Sequence, residues 1–180
     1  MLFRPHPLSY SEPEDASRIR QIQHRLASDQ TAGGRRHVWG RQAETDWDVA
    51  DCINASDALV SDVSSVATDY LASGKPLAMV AIRAQGAKFR QQFPIARVCY
   101  VIEKDLSTLD AALDQLHGED PLASERQAYR RYCLGDEVGP RAASKFLQVA
   151  GEIVTGRPSG VLDDAATSIA SGRPPGAGEG

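Results

Sequence analysis

Ser64 and Ser65 stand side by side where an apolar segment gives way to a helical pattern, with Asp62 two residues earlier and Asp69 one helical turn later. Paired hydroxyls at a helix start point the same way as the unpaired backbone N–H groups of the first turn, and anions collect at such corners. Asp69 follows Ser65 at i, i+4 spacing, so both side chains can face one ligand. The chemistry on offer is a phosphate grip beside a carboxylate that accepts hydrogen bonds from sugar hydroxyls. Taken alone, a D-x-S-S run reads better as capping by Asp62 and Ser64, with Asp69 a solvated charge. The flanking sequence shifts that balance.

The elements that must position these groups lie in residues 57–82, DALVSDVSSVATDYLASGKPLAMVAI. The pattern predicts a buried strand over 57–61, a polar turn, a helix over about 64–73, a Gly-Lys stop and a second strand over 76–82. Apolar run, helix, apolar run is the signature of a βαβ unit with parallel strands. The second run is nearly all apolar, as a strand covered on both faces should be. Upstream, residues 2–4 read as the end of a strand that runs into Pro5-His6-Pro7. Proline on both sides holds His6 extended and out of any helix, presenting its imidazole at a strand's C-terminal edge, where open α/β sheets bind ligands.

The remaining chain supplies flanking elements. A helix is predicted from Ser11 to about residue 27, with a core stripe of Ile19, Ile22 and Leu26. Residues 37–40 read as a weak edge strand. A short helix over 45–56 repeats Trp47, Ala50 and Ile53, and Trp47 reads as a buried aromatic rather than a base-stacking platform. Residues 83–94 form a basic, partly helical connection, and 97–103 another strand. Leu106, Leu109, Leu113 and Leu116 mark an amphipathic helix over 106–116; residues 121–133 form a charged helix. Residues 139–155 form a third, with Ala142, Phe146, Val149 and Ile153 in its stripe. From residue 156 on, Gly, Pro, Ser and Ala dominate, and too little apolar surface remains to offset chain ordering. The expected organisation is therefore a Rossmann-like α/β domain over 1–155 and a disordered tail over 156–180.

The motif S-D-V-S-S-V-x-x-D-Y-x-x-x-G-K-P over residues 61–76 resembles the T-D-Y-S-S-v-x-x-D-x-x-x-x-x-K-P signature of the CDP-glycerol glycerophosphotransferases, the teichoic-acid polymerase family. Phe3-Arg4-Pro5-His6-Pro7 is similar to that family's strand-then-HP turn. Residues 139–146 are similar to its G-x-A-x-x-(R/K)-x segment. The resemblance implies the C-terminal, nucleotide-binding half of a GT-B fold, lacking its first strand, with CDP-glycerol or a related CDP-alcohol as donor. It implies roles for Ser64 and Ser65 at the diphosphate, Asp69 at the ribose, His6 as a diphosphate donor and Arg141 to Lys145 as a cation source, with Asp62 also among the substrate-binding residues. Glycerol phosphate would pass to a lipid-linked polyol-phosphate chain of the cell wall. No cofactor or metal is called for. The acceptor half of a GT-B enzyme, which brings the base for the attacking hydroxyl, is absent from these motifs, so a missing N-terminal acceptor domain or a partner chain is expected. A stand-alone nucleotide-diphosphate-binding module, or an inactive remnant, is the competing reading. The layout also resembles the nucleotide turn of UDP-sugar 2-epimerases, which carry Ser-Gly-Gly there.

Composition narrows the setting. The chain of 180 residues is 42% hydrophobic and 24% charged, ordinary for a soluble globular domain. A net charge of −4 argues against a general nucleic-acid binder. The basic runs Arg35-Arg36-His37 and Arg126 to Arg131 read as solvated faces, with contact to a membrane surface or a phosphorylated ligand as the alternative. Cys52, Cys99 and Cys133 are too far apart for a C-x-x-C motif, and free thiols suit a reducing compartment. The expected location is cytoplasmic, or peripheral on the inner face of the plasma membrane.

Overall fold

A computed structural model describes residues 1–137 and 139–156, so the expected disordered tail lies outside the described residues apart from Gly156. The described residues form two compact units, divided between Asp57 and Ala58.

In the first unit, α1 (Pro13–Thr31) opens with Pro13 in its first turn and Glu14 and Asp15 beside the unpaired N–H groups. Glu12 rather than Ser11 is the N-cap, and it makes no side-chain cap. The buried stripe is Ala16, Ile19 and Leu26; Ile22 is 37% exposed. Ile22 lies about 60° around the helix from Ile19, on the side away from Ala16, which takes it off the stripe. The two short strand expectations merge into one parallel bridge between Leu2 and Val38, with Phe3 N–H donating to the Val38 carbonyl at 2.9 Å.

The single helix expected over 45–56 is split. A π-helical turn, Gln42–Asp46, ends at Trp47, whose φ of −102° and ψ of 141° are extended. α2 (Val49–Asn54) then starts afresh, because Asp48 and Asp51 form a reciprocal capping box. Cys52 is its buried residue, Ala50 is exposed, and Trp47 is half-buried outside the helix. The Arg4 guanidinium ties this break together by donating to the carbonyls of Ala43 and Trp47.

In the second unit, β1 (Leu59–Ser61), β2 (Leu77–Ala81) and β3 (Tyr100–Glu103) form a parallel sheet in the order β1-β2-β3. The α/β class with a parallel sheet flanked by helices is as expected, but β1 is shorter than expected and is an edge strand, with Val60 48% exposed. β2 is the buried centre: Leu77, Ala78, Met79 and Ala81 are all 1% exposed or less. α3 (Ser65–Tyr70) crosses from β1 to β2 and tightens into a 3-10 turn, Leu71–Ser73, closed by Gly74 at φ +70°. α4 (Gly86–Gln92) crosses from β2 towards β3 and buries Phe89 completely.

The expected strand over 97–103 begins only at Tyr100, since Pro94 starts a 3-10 helix, Pro94–Val98, whose fixed φ suits a helical first turn. α5 (Leu109–His117) packs Ala112 and Leu116 against Ala78 and Ile102. Leu106 does not join that stripe: it is 54% exposed at φ +62°, in the turn before the helix. α6 (Ala123–Leu134) packs on both the Leu71–Ser73 and Pro94–Val98 turns.

That packing overturns the reading of Arg126 as part of a solvated face. Its side chain is fully buried, forked on the Asp120 carboxylate at 2.5 and 3.0 Å, with Nε donating to the Val98 carbonyl at 3.3 Å. The last helix, α7 (Pro140–Val154), has no buried residue: Phe146, Leu147 and Ile153 of its apolar face are 61% exposed or more.

All three cysteines are free, Cys52 and Cys99 buried and Cys133 exposed. Burial pushes the Cys99 thiol up to about 12, and its hydrogen is donated to the Ile95 carbonyl at 3.0 Å. A brief treatment of the native protein with iodoacetamide at pH 8 is therefore expected to alkylate Cys133 and spare Cys52 and Cys99, as read by peptide mass spectrometry. Equal labelling of all three would contradict this packing.

Candidate functional site

Parallel strands end at a common edge of the sheet, and each of the three here delivers something to it. β1 ends at Ser61 and runs into the polar turn of Asp62, Val63, Ser64 and Ser65. Ser64 is extended at φ −143° and ψ 153° and caps α3, its Oγ accepting from the Val66 N–H at 3.3 Å. Because that oxygen acts there as an acceptor, the Ser64 O–H remains able to donate outward. Ser65 is exposed, and its hydroxyl has no partner among the described residues. Asp62 and Asp69 are exposed too. Ser65 and Asp69 share one short helix at i, i+4, so the fold brings them to one face. Six residues make a weak dipole; donors on this corner act mainly as local hydrogen bonds.

β2 ends at Ala81, and the chain turns into α4 at Gly86. β3 ends at Glu103, opposite Ala81 in the register. The Gly86 N–H donates to Glu103 Oε1 at 3.2 Å, while Glu103 Oε2 is shut off from solvent with no hydrogen-bond partner. The Glu103 backbone is held on both sides, N–H to Thr108 Oγ1 at 2.9 Å and carbonyl from the Leu106 N–H at 2.8 Å. Glu103 was not singled out by sequence reasoning. A lone carboxylate closing an apolar strand was its only signal.

The other expected site residues are carried elsewhere. His6 belongs to the first unit, where it caps a 3-10 helix, Pro7–Tyr10, with Nδ1 accepting from the Leu8 N–H at 3.2 Å. In the neutral ring this leaves the proton on Nε2, so exposed His6 offers an N–H donor. Arg141 and Lys145 lie on α7, also at i, i+4, and line an open groove with Glu137, Pro140, Ser144 and Gln148. Neither has an ion-pair partner among the described residues, and α7 makes no extensive contact with α3 or any other described element. Among the described residues no three His, Cys, Asp or Glu side chains converge as metal ligands, and no helix is long and apolar enough to cross a membrane.

No curated protein and no solved structure matches the chain. A family model does, over residues 1–85, a span that includes both the His6 turn and the Ser61-to-Pro76 motif but not the α7 segment. That model describes the CDP-glycerol:poly(glycerophosphate) glycerophosphotransferases, to which residues 1–85 are therefore similar.

Proposed function

We propose that the chain binds the CDP-alcohol donor, CDP-glycerol in the form that the family match over residues 1–85 suggests, and serves a transfer of glycerol phosphate to a polyol-phosphate chain on a lipid carrier of the cell wall. The observation that carries this reading is the open corner of Ser64 and Ser65 inside the matched segment, with Asp69 on the same helix face. In the transfer, an acceptor hydroxyl attacks the phosphorus that bears glycerol. The bond from that phosphorus to the bridging oxygen breaks, and CMP departs with the electron pair.

Negative charge grows on the departing phosphate, and fixed donors aimed at that charge lower the barrier. The Ser64 and Ser65 hydroxyls supply such donors. Asp69 takes the ribose hydroxyls through its carboxylate oxygens. Arg141 and Lys145, on the exposed groove of α7, are cations available for phosphate oxygens. A peripheral position at the cytoplasmic leaflet would suit an acceptor held on a lipid.

Calorimetric titration of the full chain with CDP is expected to show saturable one-to-one binding, and no binding would overturn the proposal. Incubation with CDP-glycerol and a polyglycerol-phosphate acceptor then separates two roles. Release of CMP marks a transferase, whereas binding without release marks a nucleotide-diphosphate-binding module.

A further inference from the structure

We infer that α7 pairs two copies of this chain, antiparallel about a two-fold axis, through the apolar face it leaves exposed. The pairing does not depend on the donor-binding reading. The helix has no buried residue and makes no extensive contact with another described element, and its Phe146, Leu147 and Ile153 are 71%, 69% and 61% exposed. At roughly 100° per residue, every apolar side chain from Ala142 to Val154 falls within one arc of about 160°, and the charged and amide side chains fall opposite. A helix so divided is stable in water when its apolar side is covered.

The placement of charge selects a second copy as the cover. Ala142, Phe146, Val149 and Ile153 follow one another at alternating steps of four and three, the seam along which two helices wind together. Lys145 and Glu152 immediately precede Phe146 and Ile153, so both stand on the same flank of that seam. When two such helices run antiparallel, like flanks meet. Phe146 then packs opposite Val149 of the second copy, Ala142 opposite its Ile153, and Lys145 beside its Glu152, each contact made twice by symmetry. The other flank brings Ala143 against Ala150 of the second copy, small side chains that let the backbones approach. In a parallel pair unlike flanks meet, and Lys145 would face Ala150 instead.

Neither charge is used within the chain. Among the described residues no ion pair includes Lys145 or Glu152. Glu152 Oε1 accepts from Gln148 at 2.9 Å, and its Oε2 is covered and unpartnered. A covered carboxylate oxygen without a donor is costly, and an ammonium group from the second copy supplies one. Arg141, towards the middle of the polar side, stays open to solvent in the pair. A seam of fifteen residues makes a small interface, so the dimer belongs to the weak class, with a Kd on the order of 10–100 µM.

The test is sedimentation equilibrium of the full chain. The wild type is expected to show a monomer–dimer equilibrium in that range. Phe146→Asp, which sets a charge in the seam without touching the buried core, is expected to remain monomeric with an unchanged circular dichroism spectrum. Lys145→Glu and Glu152→Lys each create two like-charged pairs in the dimer and are expected to weaken it about tenfold at low salt. Mixed in equal amounts, these two variants are expected to regain the wild-type affinity, because a mixed pair has only opposite charges across the flank. A wild type that stays monomeric well above that range, charge reversals without effect, or a mixture no tighter than its components would each overturn the pairing. Binding of a monomeric wild type, but not of Phe146→Asp, to phosphatidylglycerol vesicles would give the face to a lipid surface and overturn it equally.

Discussion

Replacing Arg126 with alanine is expected to destabilise the second unit by roughly 3–5 kcal/mol, the range for removing one partner of a buried ion pair. The guanidinium is fully buried and forked on Asp120, whose side chain is 17% exposed, and Tyr100 donates its hydroxyl to the same carboxylate at 2.6 Å. Without Arg126 the carboxylate keeps only neutral donors, the Val98 carbonyl loses its partner, and α6 loses the bond that ties it to the turn before β3. Urea unfolding followed by circular dichroism measures the loss; a cost below about 1 kcal/mol, the level of an exposed pair, would refute the buried geometry. The double change Arg126→Met with Asp120→Leu is expected to recover much of the stability, because two apolar groups leave no stranded charge.

The same pair sets an acid limit. The hydrogen bonds from Arg126, and next those from Tyr100, hold the Asp120 carboxyl below its ordinary range despite partial burial. A folded-state value below the unfolded one contributes stability that is present above the unfolded value, near pH 4, and is lost as pH falls through the folded one. Thermal midpoints should therefore drop as pH falls below about 4, and Asp120→Asn should flatten that dependence. An equally steep acid slope in Asp120→Asn would assign it to other carboxylates.

The second large effect falls on binding. The double substitution of Ser64 and Ser65 by alanine is expected to weaken CDP binding by 100-fold or more, taking about 1.5–3 kcal/mol for each hydrogen bond to a charged group. The two hydroxyls are not equivalent. Ser64 also caps α3 through the Val66 N–H, so Ser64→Ala should cost about 1 kcal/mol of stability on top of any binding loss. Ser65 bonds to no other described residue, so Ser65→Ala should leave unfolding unchanged and reduce affinity alone. Calorimetry and denaturation on the single variants separate the roles. Full CDP affinity in Ser65→Ala would remove that hydroxyl from the proposed phosphate grip.

What can be read from sequence here is what local periodicity and end signals determine. The β1-α3-β2 crossover, the Gly74 stop and the apolar run of β2 follow from patterns within a dozen residues, because hydrogen bonding and burial in a βαβ unit repeat at those spacings. The i, i+4 pairing of Ser65 with Asp69 is equally local. The break at Trp47 was written in the Asp48 and Asp51 capping box but overridden by the longer helical period.

Tertiary structure alone decided the rest. Arg126 sits in a basic run and looks solvated; it is buried because the Asp120 carboxylate and the Val98 carbonyl accept from it, with Tyr100 bracing that carboxylate. Leu106 fits a heptad-like stripe yet lies in a positive-φ turn, since β3 extends to Glu103 and its end is tied to Thr108. Glu103 gains its unpartnered oxygen only when the start of α4 is brought beside the end of β3. A charge's cost or use depends on which groups surround it in space, and a linear pattern does not carry that information.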